Sequence, residues 1–507
     1  MARALAAWVV LAAGRAAGAE PAWPSEVPLG PVRPFSWERL QREAAAAAGR
    51  PYVAPPAPPG DKVAAIDFDA FGRARYRAER TLWRGQGDHG VRFFPLATTA
   101  PTPVEIAVVQ GGQARAVPYS PQLFDLPTGS PVAGLGPQAG FGGFRIMNAD
   151  DRTDWAAFIG AAYFRAADPF NQYGLSARGL ALNAGGPGAE EFPRFSAFWL
   201  EPGPGAAFTV YARLNSPSVA GAYRIVHRRG PGGLVQDIDA QVSFRQAVAR
   251  PGVAPLTTMY WYGLGDRGAE SDWRPQIHDS DGLAMWTGAG ERIWRPLIDP
   301  PRVMLNAFRD RAPKGFGLMQ RDRTFADYQD DGAFYDRRPS CWVEPVGDWG
   351  EGSVQLLEIP TGGETFDNVV AFWTPAAPVG PGDRLDLAWR LHWGAEEPIA
   401  PGVARVTATR TGRGGPPAGP FPPGRRKFVV DFAGEGLAGL DRSSGVGPVV
   451  SLSYGQPFGA VAYPVVGRPA WRLAFDAEVK PGAALDLRAF LRRGGQALTE
   501  TWLYQAF

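Results

Sequence analysis

Glycine and proline occur so often along this chain that long regular helices are excluded. The 507 residues include 64 Gly and 50 Pro, about twice the usual share. These two residues destabilise a helix interior more than any others. Yet 12% of the residues are aromatic, 17 of them Trp, and disordered chains contain few aromatic residues. Together these features predict a folded, turn-rich, all-β protein.

Short apolar runs separated by Gly, Pro and Asp predict the strands. Between about residue 63 and residue 394, many runs alternate apolar and polar side chains, as antiparallel strands with one buried face do. Helical stretches do not alternate with these runs, so a parallel α/β sheet is not expected. The predicted strands include Val104–Val109, Phe195–Leu200, Phe208–Leu214, Ala222–His227, Val354–Ile359, Val369–Trp373 and Leu385–Trp393.

One helix is predicted near the start of the chain. Ser36 is a suitable N-cap, and the alanine-rich run that follows favours helix as far as Ala48. Gly49 and Pro51 should end it.

The chain is expected to divide into two domains. Residues 395–402 are rich in Glu and Pro and are interpreted as a linker between a domain of residues 20–394 and a smaller one of residues 403–507. Six short strands in about 105 residues suit an immunoglobulin-like sandwich. These strands are Ala404–Arg410, Lys427–Phe432, Val449–Tyr454, Trp471–Phe475, Leu485–Phe490 and Leu498–Tyr504.

The first 19 residues predict export. Arg3 is followed by an uncharged apolar run at residues 4–13, and Ala17-Gly18-Ala19 is a small-x-small cleavage site. Cleavage after Ala19 releases a periplasmic protein if the source is Gram-negative. No Arg-Arg pair precedes the apolar run, so the general secretory route is expected.

Charge and the scarcity of Cys and His exclude several classes of function. Beyond residue 19 the chain carries 50 basic and 50 acidic residues, which gives no general electrostatic reason to bind nucleic acid. Cys341 is the only cysteine, so no intrachain disulfide forms, and its apolar neighbours indicate a buried structural thiol. The four His are not at metal-ligand spacing, so no metal site is expected. No other cofactor is expected either.

Residues 273–373 are the part of the sequence that suggests chemistry. This segment combines Asp, Glu, Arg, Trp and Tyr more densely than a plain β-sandwich requires. Metal-free glycoside cleavage needs two carboxyl groups beside the bond, and aromatic rings and polar groups bind sugars. Any single acid here is better explained by pairing with one of the 48 Arg, whereas the segment as a whole favours a carbohydrate site.

A groove lined by aromatic side chains is therefore expected. Large aromatic residues also dominate cores, so half or more of the candidates can be core residues instead. The candidates are Tyr260, Trp261, Trp273, Tyr335, Trp342, Trp349 and Trp373. The residues predicted to bind substrate are Trp273, Arg274, His278, Asp281, Trp342 and Trp349.

Long motifs in this chain resemble one known family. They lie at Gly140–Arg145, Gly160–Ala166, Tyr173–Leu180, Glu190–Pro193 and Ala254–Thr257 and across most of residues 273–373. The chain is similar here to the periplasmic glucan biosynthesis protein G/D family, which serves production of osmoregulated periplasmic glucans with a β-1,2-linked backbone. The resemblance implies a large galactose-mutarotase-like β-sandwich followed by an immunoglobulin-like domain. The missing Arg-Arg pair favours the G branch.

The resemblance also implies an inverting endo-β-1,2-glucanase. Asp279 matches the general base of that chemistry and Asp367 the general acid, while Tyr335 and Glu364 match positions of a water and proton relay. Inversion needs one protonated carboxyl at the leaving oxygen and one ionised carboxylate that activates water. Asp281, two residues from Asp279, is the rival for the base.

The two roles predict different surroundings for the two aspartates, which should face each other across the groove. Asp367 should be the more enclosed because it must hold a proton near neutral pH, and Glu364 should help to raise its pKa. Asp279 should lie in more polar surroundings and be ionised. Phe366 departs from the family's pattern, and its bulk can narrow the site.

Three functions fit this sequence. The first is cleavage of β-1,2-glucan. The second is non-catalytic binding of the nascent glucan for an inner-membrane glucan synthase, and the third is a structural role in which the immunoglobulin-like domain docks a membrane protein. Incubation with linear β-1,2-glucan separates the first two, because only an enzyme shortens the polymer.

Overall fold

The computed structural model of this protein describes residues 23–58, 60–267, 272–416 and 418–507. The predicted signal peptide therefore lies outside the described residues. Most of the secondary structure is β-strand, arranged in layered and mainly antiparallel sheets. The all-β class predicted from the Gly, Pro and aromatic content is confirmed.

The predicted N-terminal helix is present with its predicted cap. Helix α1 spans Trp37–Ala48, and the Ser36 hydroxyl accepts a hydrogen bond from the Arg39 N–H at 3.2 Å. The other α-helices are short: α2 Gly60–Ala64, α3 Phe68–Arg73 and α4 Phe325–Tyr328. Six 3₁₀ helices lie at Ala78–Arg80, Gly87–His89, Pro121–Leu123, Pro131–Gly134, Tyr335–Arg337 and Glu435–Leu437. No helix in the described ranges has both the length and the apolar content to cross a membrane.

The described residues before the predicted linker contain 26 strands. The first half comprises β1 Val32–Pro34, β2 Arg75–Tyr76, β3 Val91–Phe94, β4 Glu105–Gln110, β5 Gln113–Ala116, β6 Phe124–Asp125, β7 Gly143–Met147, β8 Asp154–Ile159, β9 Tyr163–Ala166, β10 Ser176–Arg178, β11 Leu180–Leu182, β12 Arg194–Pro202 and β13 Phe208–Asn215. The second half comprises β14 Val219–Gly230, β15 Gly233–Phe244, β16 Pro251–Thr258, β17 Tyr260–Tyr262, β18 Ile277–His278, β19 Gly282–Trp286, β20 Arg292–Pro296, β21 Met304–Arg311, β22 Gly315–Met319, β23 Ser340–Val346, β24 Glu351–Glu358, β25 Val369–Pro375 and β26 Arg384–Gly394.

The described residues after the linker contain eight strands, which form a small sandwich. They are β27 Arg405–Arg413, β28 Arg425–Ala433, β29 Val446–Leu452, β30 Phe458–Pro464, β31 Ala470–Glu478, β32 Leu485–Arg493, β33 Gln496–Ala497 and β34 Thr501–Ala506. One layer has the order β27-β28-β31-β30, and the other contains β29, β32 and β34. Phe428, Phe475 and Trp502 pack between the layers.

Two large sheets enclose the main core. The larger contains 16 described strands: 15 follow the order β1-β5-β4-β12-β13-β14-β15-β26-β23-β22-β19-β20-β34-β32-β29, and β33 pairs with β32 beside this path. The second contains ten: nine follow the order β21-β24-β25-β16-β10-β9-β8-β7-β3, and β11 pairs with β16. Phe144 and Phe158 of the second sheet contact Phe198 of the first, with ring centroids 5.1 and 5.7 Å apart. The alternating strands predicted from the sequence thus bury their apolar faces between these layers.

The larger sheet runs without interruption from the first region into the second. Strand β20 pairs in parallel with β34, so that Ile293 lies opposite Thr501 and Trp294 opposite Trp502. This pairing fixes the small sandwich against the part of the chain that carries residues 273–373.

Candidate functional site

Acidic and basic side chains from four separate parts of the chain meet in one cluster. Arg165 lies on β9, Asp279 directly follows β18, Arg338 follows the 3₁₀ helix at Tyr335–Arg337, and Asp367 lies between β24 and β25. Arg338 pairs with Asp279, and Arg165 pairs with Asp367. Among the described residues, no group of three or more His, Cys, Asp and Glu has the arrangement of a metal site.

Asp279 is the more enclosed of the two aspartates. Its side chain is 8% exposed, and one carboxylate oxygen lies 3.2 Å from Nη1 of Arg338. Burial raises the pKa of Asp279, the Arg338 guanidinium opposes that rise, and the charge of Asp367 adds to it. The two aspartates therefore interact electrostatically, although 88 residues separate them in the sequence.

Asp367 is more open than predicted. Its side chain is 33% exposed, and one oxygen lies 3.3 Å from Nη2 of Arg165, whose Nε donates to the Ser176 hydroxyl at 2.6 Å. Burial is the main cause that raises the pKa of Asp367, against the opposing charges of Arg165 and Arg338. The expectation that Asp367 is the more enclosed carboxyl is wrong, because it sits on a surface loop whereas Asp279 follows a buried strand.

Tyr335 and Glu364 form a direct hydrogen bond. The Tyr335 hydroxyl donates to Oε2 of Glu364 at 2.5 Å. Arg274 donates to both oxygens of the same carboxylate, each at 3.0 Å, and these bonds are the main reason that the pKa of Glu364 is lowered. Glu364 is thus an ionised acceptor. It is not the cause of the raised pKa of Asp367, contrary to the prediction.

Arg274 holds Glu364 in place. The guanidinium also binds Asp330 at 2.6 Å and Asp272 at 2.9 Å, and the residue is 9% exposed. With its donors directed at three carboxylates, Arg274 orients Glu364. Its contact with substrate stays a prediction.

His278 is enclosed by protein on both ring nitrogens. Nδ1 lies 3.0 Å from the side-chain oxygen of Gln320, Nε2 lies 3.2 Å from that of Gln276, and the ring stacks on Tyr260. Burial lowers the pKa of His278 to about 4. The amide nitrogen of Gln320 donates to the carbonyls of His278 and Tyr335. His278 therefore supports the backbone beside the site, and its contact with substrate stays a prediction.

Asp281 belongs to a different environment from Asp279. One of its oxygens accepts the backbone N–H groups of Arg321 and Asp322, each at 3.0 Å. It lines a cleft between the first region and β27, together with Asp266 and Thr409. Asp281 thus has different neighbours from Asp279, and its contact with substrate stays a prediction.

The burial of Asp281 predicts a pH-dependent stability. Burial raises its pKa to about 6, above the value of about 3.9 in an unfolded chain. Between these two pH values the folded state binds more protons at Asp281 than the unfolded state does. The contribution of Asp281 to the free energy of unfolding therefore falls as pH rises through that window and is constant above it. Thermal unfolding from pH 4 to pH 8 should show this fall, and Asp281→Asn should reduce it.

The exposed Asp331 offers a matched control for that measurement. Asp331→Asn should leave the pH dependence of the unfolding temperature as in the wild type. The same pH dependence in Asp281→Asn and the wild type would show that Asp281 does not titrate in this window.

Most of the predicted groove aromatics are core residues. Trp342 covers Gly315, where an added Cβ would lie 2.4 Å from the indole, and it packs in the core that joins the two regions. Trp349 packs between Trp373 and Trp389, with centroids 6.2 and 6.4 Å away. Both rings are therefore buried, and the contact of Trp342 and Trp349 with sugar stays a prediction.

Two exposed aromatic rings remain beside the carboxyl groups. Trp273 is 70% exposed and directly precedes Arg274, while Phe366 is exposed and directly precedes Asp367. Trp261 is half-buried, and Tyr260 and Tyr335 are buried. Of the seven candidates for an aromatic groove, Trp273 is thus exposed and Trp261 is half-buried, while the other five are buried.

Arg165 and Arg338 are the site residues that sequence reasoning missed. Each contacts one of the two aspartates, and both affect the pKa of both. Both lie in motif-rich stretches, at Gly160–Ala166 and within residues 273–373. With 48 Arg in the chain, however, residue type alone did not single them out.

Comparisons with known proteins agree with the resemblance seen in the sequence. The family model described as "Periplasmic glucan biosynthesis protein, MdoG" matches residues 35–506. Glucans biosynthesis protein D 2 of Ralstonia nicotianae is 46% identical over 498 residues, covering 95% of this chain and 92% of that protein. Glucans biosynthesis protein D of Xanthomonas campestris pv. campestris is 45% identical over 487 residues, covering 94% of this chain and 91% of that protein.

These relatives are named glucans biosynthesis protein D, so they do not favour the G branch that the missing Arg-Arg pair suggested.

Among solved structures, the galactosidase domain of an alpha-galactosidase–sucrose kinase overlaps 43% of this chain and 30% of that chain, with a TM-score of 0.24 and 12% identity. That overlap is too small to support any argument. The family match and the identities are far stronger, and they place the chain in the MdoG family of periplasmic glucan biosynthesis proteins.

Proposed function

We propose that this protein cleaves β-1,2-linked glucan with inversion at the anomeric carbon. The observation that carries the proposal is the pair Asp279 and Asp367, which the fold brings from distant positions into one cluster and which both have raised pKa values. Inverting glycoside hydrolysis requires a pair of carboxyl groups, one protonated and one ionised. The family's role in periplasmic glucan biosynthesis supplies the substrate class.

Asp367 is the proposed general acid. Its raised pKa favours the protonated form, and its partial exposure leaves room for a glycosidic oxygen to approach. Phe366, which directly precedes Asp367, and Trp273, which directly precedes Arg274, are exposed and offer apolar faces to sugar rings.

Asp279 is the proposed general base, with Tyr335 and Glu364 as its relay. Arg338 binds Asp279 and lies over the Tyr335 ring at 4.9 Å, so one cation fixes both groups. Burial and the bond to Glu364 raise the pKa of Tyr335, which keeps the phenol protonated and able to donate. Tyr335 and Glu364, joined by a direct hydrogen bond, can pass a proton between hydroxyl and carboxylate, and Asp279 is the proposed final acceptor of the proton of the attacking water.

Export and the division of the chain into two regions belong to the same proposal. We propose export through the signal peptide of residues 1–19, with cleavage after Ala19. The division into residues 20–394 and 403–507 then separates the proposed catalytic region from a smaller region that is available for other contacts.

Hydrolysis of linear β-1,2-glucan tests the proposal directly. The expected result is shortening of the polymer, with the α-anomer as the first new reducing end in proton NMR, because inversion of a β-linkage releases the α form. Asp331→Asn should match the wild type, since this exposed residue lies outside the cluster. A β-anomer as the first product would contradict inversion, and intact polymer would contradict catalysis.

One observation favours a second function, non-catalytic glucan binding. Arg165 pairs with Asp367 and opposes its protonation, and a paired carboxylate is a poorer acid. A protein of this kind would position the nascent glucan for an inner-membrane synthase. Saturable binding of β-1,2-glucan without any shortening of the polymer is the outcome that supports it.

A further inference from the structure

Positive charge is concentrated in the C-terminal part of the chain. Residues 403–507 contain 13 Arg and Lys against 7 Asp and Glu, whereas residues 20–402 contain 37 against 43. The near-neutral protein is therefore electrically divided, with a basic small sandwich and an acidic large region. A large surface that carries charge of one sign attracts the oppositely charged part of such a protein and so orients the molecule.

One end of the small sandwich combines exposed basic and aromatic side chains. It is formed by loop residues 414–416 and 418–424, which lie between β27 and β28, by the start of β30, and by the residue pair that follows β31. The Phe421 side chain is 51% exposed and Phe458 is 40% exposed. We call this surface the basic tip, defined by Arg413, Phe421, Arg425, Arg426, Phe458 and Lys480.

The strands beside the loop hold the basic and aromatic groups together. Arg413 lies opposite Arg426 in the register of β27 and β28. The Arg425 guanidinium lies over the Phe458 ring, 3.8 Å from its centroid. Aromatic and basic groups of the basic tip are thus in direct contact.

Backbone hydrogen bonds tie the remaining members to the same end. The Val479 N–H donates to the Gly424 carbonyl at 2.8 Å, which places Lys480 beside the end of the loop that carries Phe421. Five of the eleven residues in the loop are Pro, which have no backbone N–H to desolvate. A loop with so few donors enters a lipid headgroup region at lower cost than an ordinary loop.

The acidic groups nearby do not cancel the charge of the basic tip. Asp476 is bound to Lys427 at 2.5 Å and to the Gly415 N–H at 2.7 Å. Glu478 lies opposite Arg425 in the register of β28 and β31. Within the described residues, Arg413, Arg426 and Lys480 form no ion pair with an acidic side chain.

We propose that the basic tip docks this protein onto a bilayer that contains anionic lipid. Each Lys or Arg close to such a surface contributes about 1 kcal/mol, and exposed Phe side chains insert at the level of the headgroups. The division of charge orients the molecule with the small sandwich toward the membrane and the acidic region away from it. This inference goes beyond the proposed function and does not depend on glucan cleavage.

Co-sedimentation of the exported chain with vesicles tests the docking. Vesicles of phosphatidylcholine and phosphatidylglycerol in equal parts should bind the protein, pure phosphatidylcholine vesicles should not, and added salt should weaken the binding. Arg413→Gln with Arg426→Gln should weaken it by about fivefold per charge removed. Phe421→Ser with Phe458→Ser should weaken it as well, and neither pair should change the hydrolysis of β-1,2-glucan.

The turn at the other end of β30 offers a matched control. Val466 is 94% exposed and Arg468 is exposed, so Val466→Ser with Arg468→Gln removes one apolar and one basic group from the same small sandwich. This variant should bind vesicles as the wild type does. Equal binding to both kinds of vesicle, wild-type binding by the Arg413 and Arg426 variant, or binding to an acidic polypeptide but not to vesicles would overturn the proposal.

Discussion

Replacing Asp367 by Asn is expected to lower the rate of β-1,2-glucan cleavage by about 10²- to 10⁴-fold, the range typical of a lost general acid. The amide has almost the same size as the carboxyl but has no proton to give to the leaving oxygen. Glucan binding should persist, because the exposed rings of Trp273 and Phe366 remain in place. The measurement is the initial rate of reducing-end release, with binding followed separately by calorimetry.

Asp279→Asn should cause a loss of similar size for the opposite reason, since the amide cannot accept the proton of water. The pH profile distinguishes the two roles, because each variant removes one limb of a bell-shaped curve. Asp367→Asn should remove the alkaline limb and Asp279→Asn the acidic limb. A wild-type rate for Asp367→Asn would refute its assignment as the acid.

Local pattern was sufficient to predict the strands. The run Phe208–Leu214 alternates apolar and polar residues, and the structure has β13 at Phe208–Asn215 with its apolar side chains buried. Alternation fixes which face of a strand is buried, but it holds no information about the neighbouring strand. Strand β12 pairs in parallel with β4 from about 90 residues earlier, and no residue near either strand indicates that pairing.

The site was predicted less completely, because its geometry depends on the fold. Tyr335 and Glu364 came from the resemblance, and the structure places them in direct contact. Trp342 and Trp273 are the same residue type in the same segment, yet one is core and the other exposed. The indole of Trp342 packs over Gly315, which has no side chain and therefore leaves room for it. The contact between these two residues cannot be deduced from the local sequence.

Replacing Arg321 by Met is expected to destabilise the protein by about 3–5 kcal/mol, the range found when one partner of a buried ion pair is removed. Arg321 binds Glu500 through both guanidinium nitrogens at 2.8 Å and Glu397 at 2.7 Å, and both carboxylates are almost fully buried. Its guanidinium also stacks on Trp294, 3.8 Å from the ring centroid. The methionine keeps part of that packing but leaves Glu500 without its cation.

The position of these groups explains why the effect should be large. Glu500 lies next to β34, and its carboxylate also accepts the Val406 N–H at 2.9 Å, so the pair with Arg321 joins the small sandwich to the first region. Arg321→Lys keeps the charge but not the paired geometry and should lose less stability than Arg321→Met. Arg309→Met changes an exposed arginine on β21 and should cost less than about 0.5 kcal/mol. Urea unfolding followed by Trp fluorescence measures all three, and a loss for Arg321→Met no larger than that for Arg309→Met would show that this ion pair does not hold the two regions together.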